Sequence, residues 1–317
     1  MLGLVYDGKL SLREVPRPIR PAGEALVKVL MSGFCRTDFE LTQGYHGFSG
    51  VLGHEFVGRV EEADDHSLIG RRVVGEINVG CGRCDQCRKF DARHCPSRTA
   101  IGILGRPGCF ADYLVLPEAN LHLVPDQVPN ATAVFTEPLA AMVEMPDQVH
   151  IRPTSRALVV GDGRIGLLAA QVLRLTGAEV HLVGRHEDKL DIVRHVGVIT
   201  HQREGFEEKG FDVVVEASGS VPGLSTALDA IKPRGLIFVK STHIKPVLLD
   251  MTRVVVNEVT LVGSRCGPFA PALALLSRGL IEVTPLITRV FSFREAEQAF
   301  DFAWQKGVIK VLMQHEE

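Results

Sequence analysis

Four of the seven cysteines in this 317-residue chain, Cys81, Cys84, Cys87 and Cys95, fall within 15 residues of one another in the segment GCGRCDQCRKFDARHCP. The spacing is C-x2-C-x2-C-x7-C. In a reducing compartment thiols stay free, so disulfides are a poor reading. Cysteines three apart would also strain two independent bridges. Four thiolates on one short loop surround a Zn²⁺ ion tetrahedrally and leave no open position. Arg83, Arg88, Lys89 and Arg93 lie among them and partly offset the double negative charge of such a centre. A closed site of this kind does no chemistry; it folds a loop that has no core of its own. The other reading is a set of metal-free buried thiols.

Cys109 and Cys266 read as small buried hydrophobes. Cys35 differs in its company. It lies in SGFCRTDFE, and 19 residues later comes GHEFVG with His54 and Glu55. One Cys and one His–Glu pair make an incomplete zinc site, since a catalytic zinc takes about three protein ligands and keeps one position open. The competing reading is a polar pair in a turn.

A second chemistry is written in ALVVGDGRIGLLAAQVLRLTGAEVHLVGR. Ala157–Val160 is an apolar strand, and Gly161, Gly163 and Gly166 give G-x-G-x-x-G. Ile165, Leu168, Ala169, Val172 and Leu175 follow at helical spacing, and Glu179–Val183 is the next strand. A glycine pattern that leaves a strand and opens a helix is the dinucleotide fingerprint. Gly161 allows the tight turn, Gly163 lets the backbone approach the pyrophosphate, and Gly166 permits close helix–strand packing. The first helical turn, Arg164 and Ile165, presents the helix N-terminus to the phosphates. A plain strand–helix turn without a ligand is the alternative.

The residue after the second strand selects the cofactor. An NAD site usually carries Asp or Glu there, on the ribose 2′-hydroxyl. This chain has Gly184 and then Arg185. A guanidinium with no carboxylate beside it favours a 2′-phosphate, so NADP is expected in preference to NAD.

The elements that must position these residues fall into two textures. Up to residue 130, short β-rich runs are broken by Gly and Pro: Glu24–Leu30, Phe56–Val60, Arg72–Val74 and Phe110–Leu116. Regular turn signals of this kind suggest a barrel-like β domain. Ala131–Met145 is Ala-rich and helical, and strand and helix patterns alternate after it, which signals a parallel sheet. Phe211–Ala217 ends in the small-residue loop Ser218–Ser220, and Gly235–Lys240 and Val259–Gly263 are further strands. Ligand loops gather at the C-terminal ends of such strands. The final 45 or so residues, with a turn at Pro285–Thr288 and the closing IKVLM, do not extend that series and return to the first domain.

Composition excludes several classes. With 45% apolar and 23% charged residues the chain is not disordered. A formal charge of −3 implies no nucleic-acid partner. No apolar run of ~18 residues predicts a membrane span. Asp7 and Glu14 sit where a signal peptide would be basic and apolar, so the chain reads as cytoplasmic.

The ordered set GxCxTD, GHE, the four-cysteine loop, EPLA and GxGxxG, with a β-rich tail, resembles the zinc-containing medium-chain alcohol and polyol dehydrogenases over essentially the whole chain. The nearest branch in motif is that of the glucose and polyol dehydrogenases. The resemblance implies an α/β fold: a GroES-like β-barrel catalytic domain (1–137 and 269–317) with a Rossmann-fold cofactor domain (138–268) inserted in it. It implies two zincs per chain. Cys35 and His54 are then catalytic zinc ligands. Glu137 in FTEPLAA completes the site directly or through water, and Glu55 sits on or just behind the metal. Cys81, Cys84, Cys87 and Cys95 correspond to the family's structural zinc lobe. Thr37 matches the hydroxyl that bonds the substrate oxygen. Lys310 occupies a position where many members carry a basic residue near the cofactor phosphates. Ser218 lies in a cofactor loop.

Two departures bear on the substrate. Many alcohol dehydrogenases have a His three residues after the Thr, where this chain has Glu40, as in archaeal-type glucose dehydrogenases. Glu40 either binds a sugar hydroxyl or is a surface acid. The segment after GHE, EEADDHSLIGRRVV, is clipped relative to the family, which implies reduced pocket loops.

The resemblance implies an oxidoreductase that moves hydride reversibly between an alcohol, polyol or sugar hydroxyl and a nicotinamide cofactor. Zinc would lower the alcohol's pKa and Thr37 would take its proton. Two rivals are a non-catalytic zinc- and dinucleotide-binding redox sensor and a zinc-free quinone reductase. The set Cys35, Thr37, His54 and Glu137 argues against the first, and Cys35 with the GHE pair against the second. Family members form dimers or tetramers by pairing sheet edges, and Val259–Ser264 is the candidate edge here.

Overall fold

The computed structural model describes residues 1–89, 91–242 and 246–316. The chain divides into two compact units, Met1–Glu137 together with the residues from Phe269 onward, and Pro138–Pro268. Among the described residues no helix is long and apolar enough to cross a membrane.

The first unit is built on a seven-stranded sheet whose central strand, Glu24–Gly33, is mostly apolar and buried along most of its length. It pairs antiparallel with Glu55–Glu62, Tyr113–Pro117 and Lys310–Gln314. Arg72–Gly75 and Leu121–Leu123 extend the sheet on one side, and Ile287–Ser292 on the other. Leu26, Val27, Val29, Val57, Val60, Val73 and Leu116 are all buried in this unit. The tail strands Ile287–Ser292 and Lys310–Gln314 thus join this same sheet. The Phe110–Leu116 reading is shifted: pairing with the central strand begins only at Tyr113. Before that point, the Phe110 backbone bonds Leu4 and Leu52, and Ala111 forms an isolated bridge with Gly3.

The second unit is a six-stranded, all-parallel sheet. Its order is Ile199–Gln202, Glu179–Gly184, Arg156–Val160, Phe211–Glu216, Ile231–Val239, Thr260–Gly263. Leu158, Val160, Val183, Phe211, Val214 and Ile237 fill its core, giving the near-continuous apolar runs of strands covered on both faces. From Arg156–Val160 the chain builds outward through Glu179–Gly184 to Ile199–Gln202, then returns to pair Phe211–Glu216 on the other side of its first strand. That reversal is a topological switch point, where open α/β sheets bind ligands. Thr260–Gly263 lies at one sheet edge. Ile199–Gln202 lies at the other, and the reading missed it: ITHQ is short and half polar, so neither period stands out. Ala131–Met145 is two helices, Asn130–Ala133 and Thr136–Gln148.

Candidate active site

Strand register brings the candidate ligands Cys35, His54 and Glu55 together. Gly33, the last residue of the central strand, stands opposite Glu55, so GFC and GHE meet across one sheet. Helix Arg36–Thr42 then starts at once, with Cys35 as its N-cap. The Asp38 carboxylate reaches back to accept from the Cys35 N–H at 2.7 Å, the reciprocal half of a capping box. One ligand atom from each of Cys35, His54 and Glu55 lies within 4.8 Å of the others. The Thr37 hydroxyl sits 3.7 Å from the Cys35 sulfur.

Behind this trio is a buried support. His54 Nδ1 lies 3.3 Å from an Asp38 carboxylate oxygen, and both side chains are almost wholly enclosed. Such a contact leaves the other ring nitrogen to face a metal. Burial alone would lower the His54 pKa, but the charges of Asp38 and Cys35 outweigh it and raise the value well above the ordinary range. The donor set of sulfur, imidazole and carboxylate fits a zinc ion with an open position.

Glu55 is held from its far side. The Lys310 ammonium donates to Glu55 Oε2 and, at 2.9 Å, to the Phe34 carbonyl. Both side chains have no exposure. This corrects the reading of Lys310 as a phosphate contact: its charge is enclosed within the first unit and committed to Glu55. Gly33 is required beside it, because a Cβ there would lie 2.6 Å from Lys310 Cε. Glu137 lies half-buried in the first turn of Thr136–Gln148 and is not among the groups gathered within 4.8 Å. Glu40 has a side chain only 12% exposed, which removes its reading as a surface acid.

The four-cysteine loop converges as its spacing implied. The sulfurs of Cys81, Cys84, Cys87 and Cys95 cluster within 4.8 Å. Cys84 is 3.5 Å from Cys87 and 3.7 Å from Cys95. Tetrahedral Zn–S bonds of ~2.3 Å would set sulfurs ~3.8 Å apart, so the loop fits the ion with little movement. Backbone N–H groups of Arg83 and Cys84 draw the Cys81 pKa down to about 6. Of the remaining cysteines, Cys109 is wholly buried, as expected, whereas Cys266 is only partly so.

At the switch point of the second unit, Gly161 takes φ +118°, and a Cβ there would lie 2.8 Å from Ser218 Cα. A Cβ on Gly166 would strike the Gly161 carbonyl at 1.8 Å. Gly163 is the N-cap of helix Arg164–Arg174, and a Cβ there would meet nothing within 4 Å. That is the open approach a pyrophosphate needs. Arg164 and Ile165 are half-buried in the first turn. Ser218 is fixed by Glu216, whose Oε1 accepts from its N–H and hydroxyl at 2.8 and 2.6 Å.

The turn after Glu179–Gly184 holds a carboxylate after all. Asp162, inside the glycine motif, accepts from the N–H groups of Arg185 and His186 at 2.7 Å each and from His186 Nδ1 at 2.9 Å. Burial works to raise its pKa, but these donors lower it overall. A Cβ on Gly184 would lie 2.5 Å from Asp162 Cβ, so this turn requires glycine there. Arg185 itself is exposed. Sequence reasoning assigned no role to Asp38, Asp162 or Glu216. For Asp38 a signal existed, in its capping-box position three residues after Cys35.

Residues 21–126 match the alcohol dehydrogenase GroES-like domain, and residues 131–315 match the glucose dehydrogenase C-terminus. The chain belongs to the zinc-type medium-chain alcohol and polyol dehydrogenase family. It is 29% identical to sorbitol dehydrogenase of Halalkalibacterium halodurans, over 96% of each chain. It is 30% identical to D-arabitol-phosphate dehydrogenase of Enterococcus avium, over 98% of this chain and 94% of that one. The crystal structure of a protein from Sinorhizobium meliloti 1021, described as a zinc-binding dehydrogenase and bound to NADP, superposes with a TM-score of 0.90. That match has 29% identity and covers 99% of this chain and 98% of the other. The family member described here is an NAD(P)-dependent oxidoreductase of the alcohol and polyol dehydrogenase type.

Proposed function

We propose that this dehydrogenase oxidises a secondary hydroxyl of a polyol, sugar alcohol or sugar, and reduces the matching carbonyl in reverse. The observation that carries the reading is the convergence of Cys35, His54 and Glu55 within 4.8 Å. Thr37 beside the cysteine and Asp38 behind the histidine support it. Cys35 and His54 are the side chains to hold a catalytic zinc, with the third contact from Glu55, or from Glu137 directly or through water. When bound, zinc supplies Lewis acidity that lowers the pKa of the substrate hydroxyl. Thr37 accepts the proton that leaves that hydroxyl and passes it toward solvent. Asp38 fixes the His54 ring, and Lys310 balances the charge of Glu55. A bound nicotinamide would supply the acceptor for the carbinol hydride, so that carbonyl, reduced nucleotide and one proton would be the products.

A second, structural zinc belongs to Cys81, Cys84, Cys87 and Cys95, giving two per chain. Gly161, Gly163, Arg164, Ile165, Gly166 and Ser218 hold the dinucleotide. Exposed Arg185 after Gly184 favours the 2′-phosphate of NADP, while the Asp162 carboxylate opposes it at short range. Partly enclosed Glu40 is a candidate for a second substrate hydroxyl. A homodimer or homotetramer in the cytoplasm completes the reading.

The deciding experiment is a panel of polyols, aldoses and simple alcohols assayed with NADP and NAD, with zinc counted in wild type and C35S. We expect turnover on polyhydroxylated substrates, and loss of one zinc and nearly all turnover in C35S with nucleotide binding retained. Full turnover in C35S without that metal overturns the assignment.

A further inference from the structure

The second unit carries a cluster that the dehydrogenase chemistry does not use. His181 on Glu179–Gly184 and His201 on the edge strand Ile199–Gln202 share a short N···N contact of 2.8 Å, from His181 Nδ1 to His201 Nε2. The ring planes differ by 2° and the centroids are 5.1 Å apart. That separation is no more than the N···N contact plus the two ring radii, so the rings lie side by side in one plane rather than face to face. Glu208 stands over the pair, with carboxylate oxygens 3.7 Å from His181 Nδ1 and 3.5 Å from His201 Nδ1. One ligand atom from each of the three residues falls within 4.8 Å of the others.

The hydrogen bonding already sets the tautomer a metal needs. His181 Nε2 donates to the Glu179 carboxylate at 2.9 Å, which leaves the Nδ1 lone pair directed at His201. A carboxylate behind an imidazole is the usual outer support of a metal-bound histidine. His181 is locked, with 5% side-chain exposure between the strand and the Phe211 ring. His201 and Glu208 are 18% and 42% exposed, so they are the members free to adjust. An ion on the His181 lone-pair axis at ~2.0–2.1 Å would lie close to the present His201 Nε2, so the His201 ring must swing aside by about 2 Å to bind the same ion. Charge favours a cation as well. Arg156 pairs with both Glu179 and Glu208, at 2.8 and 3.1 Å. Among these fixed charges, one guanidinium stands against two carboxylates, an excess of one negative charge.

We propose that His181, His201 and Glu208 form a further metal site, for a divalent ion of the zinc, nickel or copper class. Two imidazoles and one carboxylate select that class over calcium or magnesium. The ion takes the place of the proton shared by the two rings. It fastens the edge strand and the loop 203–210 to the sheet. This site does not rest on the dehydrogenase reading and lies outside both cysteine-containing clusters.

The test counts metal in the full chain after dialysis against buffered zinc, by mass spectrometry, in wild type, H201A and E208Q. Wild type should hold one equivalent more than H201A, with dehydrogenase turnover unchanged between them. E179Q should keep the site with affinity lowered about 10–100-fold, read by calorimetric titration with Ni²⁺. H201N replaces H201A if the alanine variant fails to fold. Equal metal counts in wild type and the folded His201 variant overturn the proposal, as does Ni²⁺ affinity unaffected by both E179Q and E208Q.

Discussion

Glu55 and Lys310, 255 residues apart in the chain, form an ion pair with no solvent exposure on either side chain. It joins the strand that begins with Glu55 to the strand that begins with Lys310, both packed against the central strand Glu24–Gly33. Breaking a buried pair by removing one partner leaves an uncompensated charge, at a cost of about 3–5 kcal/mol. K310M should therefore unfold at markedly lower denaturant. The double variant E55Q/K310M should recover much of the loss, because neither charge is then left buried. Equal destabilisation in single and double variants would remove charge as the cause. Denaturant titration of the three variants decides between them.

Asp38 touches both ends of the catalytic motif, through the Cys35 N–H and His54 Nδ1. D38N keeps the size but removes the charge that orients the imidazole. Zinc affinity at the catalytic site and kcat/KM should each fall about 10–100-fold, the usual penalty for losing a supporting partner. Metal retention during timed chelation is the measurement, and unchanged retention would count against a positioning role.

The cysteine lobe has almost no apolar side chains of its own, and Cys95 is its one fully buried sulfur. C95S should open residues 81–95 to proteolysis while the parallel sheet keeps its protection. Hydrogen exchange resolved by segment checks this. Uniform loss of protection in both units would mean that the lobe supports more than itself.

In the turn after Glu179–Gly184, a guanidinium that attracts phosphate and a carboxylate that repels it are held within one turn. A hydrogen bond to a charged group contributes about 1.5–3 kcal/mol. R185A should therefore lower the ratio of kcat/KM for NADP over NAD by roughly 10-fold or more. D162N should raise the same ratio. A fall in the ratio for D162N would show that Asp162 acts by shaping the turn rather than by charge.

These residues also show what a sequence can and cannot display. The glycine turn and the convergence of the four cysteines were legible because each lies within a short stretch, where spacing stands in for geometry. The meeting of GFC and GHE was inferred from resemblance; its cause is the register Gly33 opposite Glu55, which no local pattern encodes. Lys310 was misassigned for the same reason. A lysine near a strand start reads as a free cation until the partner strand's carboxylate is placed beside it. Asp162 was passed over because the rule for cofactor choice looks after the second strand, whereas this chain supplies its carboxylate from the glycine loop 23 residues earlier.

His315 gives a pH dependence of stability with a defined sign. Its ring stacks on Phe293 at 4.0 Å, and its Nε2 contacts the Ser32 hydroxyl at 2.9 Å. Burial pushes its pKa down from 6.5 to about 3. The folded state therefore holds the ring neutral, whereas the unfolded chain takes up a proton near pH 6.5. A depressed value means that the full contribution to stability is present above pH 6.5. It is lost progressively as the pH falls toward 3, because only the unfolded state binds the extra proton over that span. The loss approaches about 1.4 kcal/mol per pH unit for one proton. H315Q, which keeps a hydrogen-bonding side chain that does not titrate, should start less stable at pH 8. It should then show a shallower decline between pH 6.5 and pH 4 than the wild type. Denaturant midpoints measured across that range make the comparison, and parallel curves for the two proteins would show that His315 is not the group responsible.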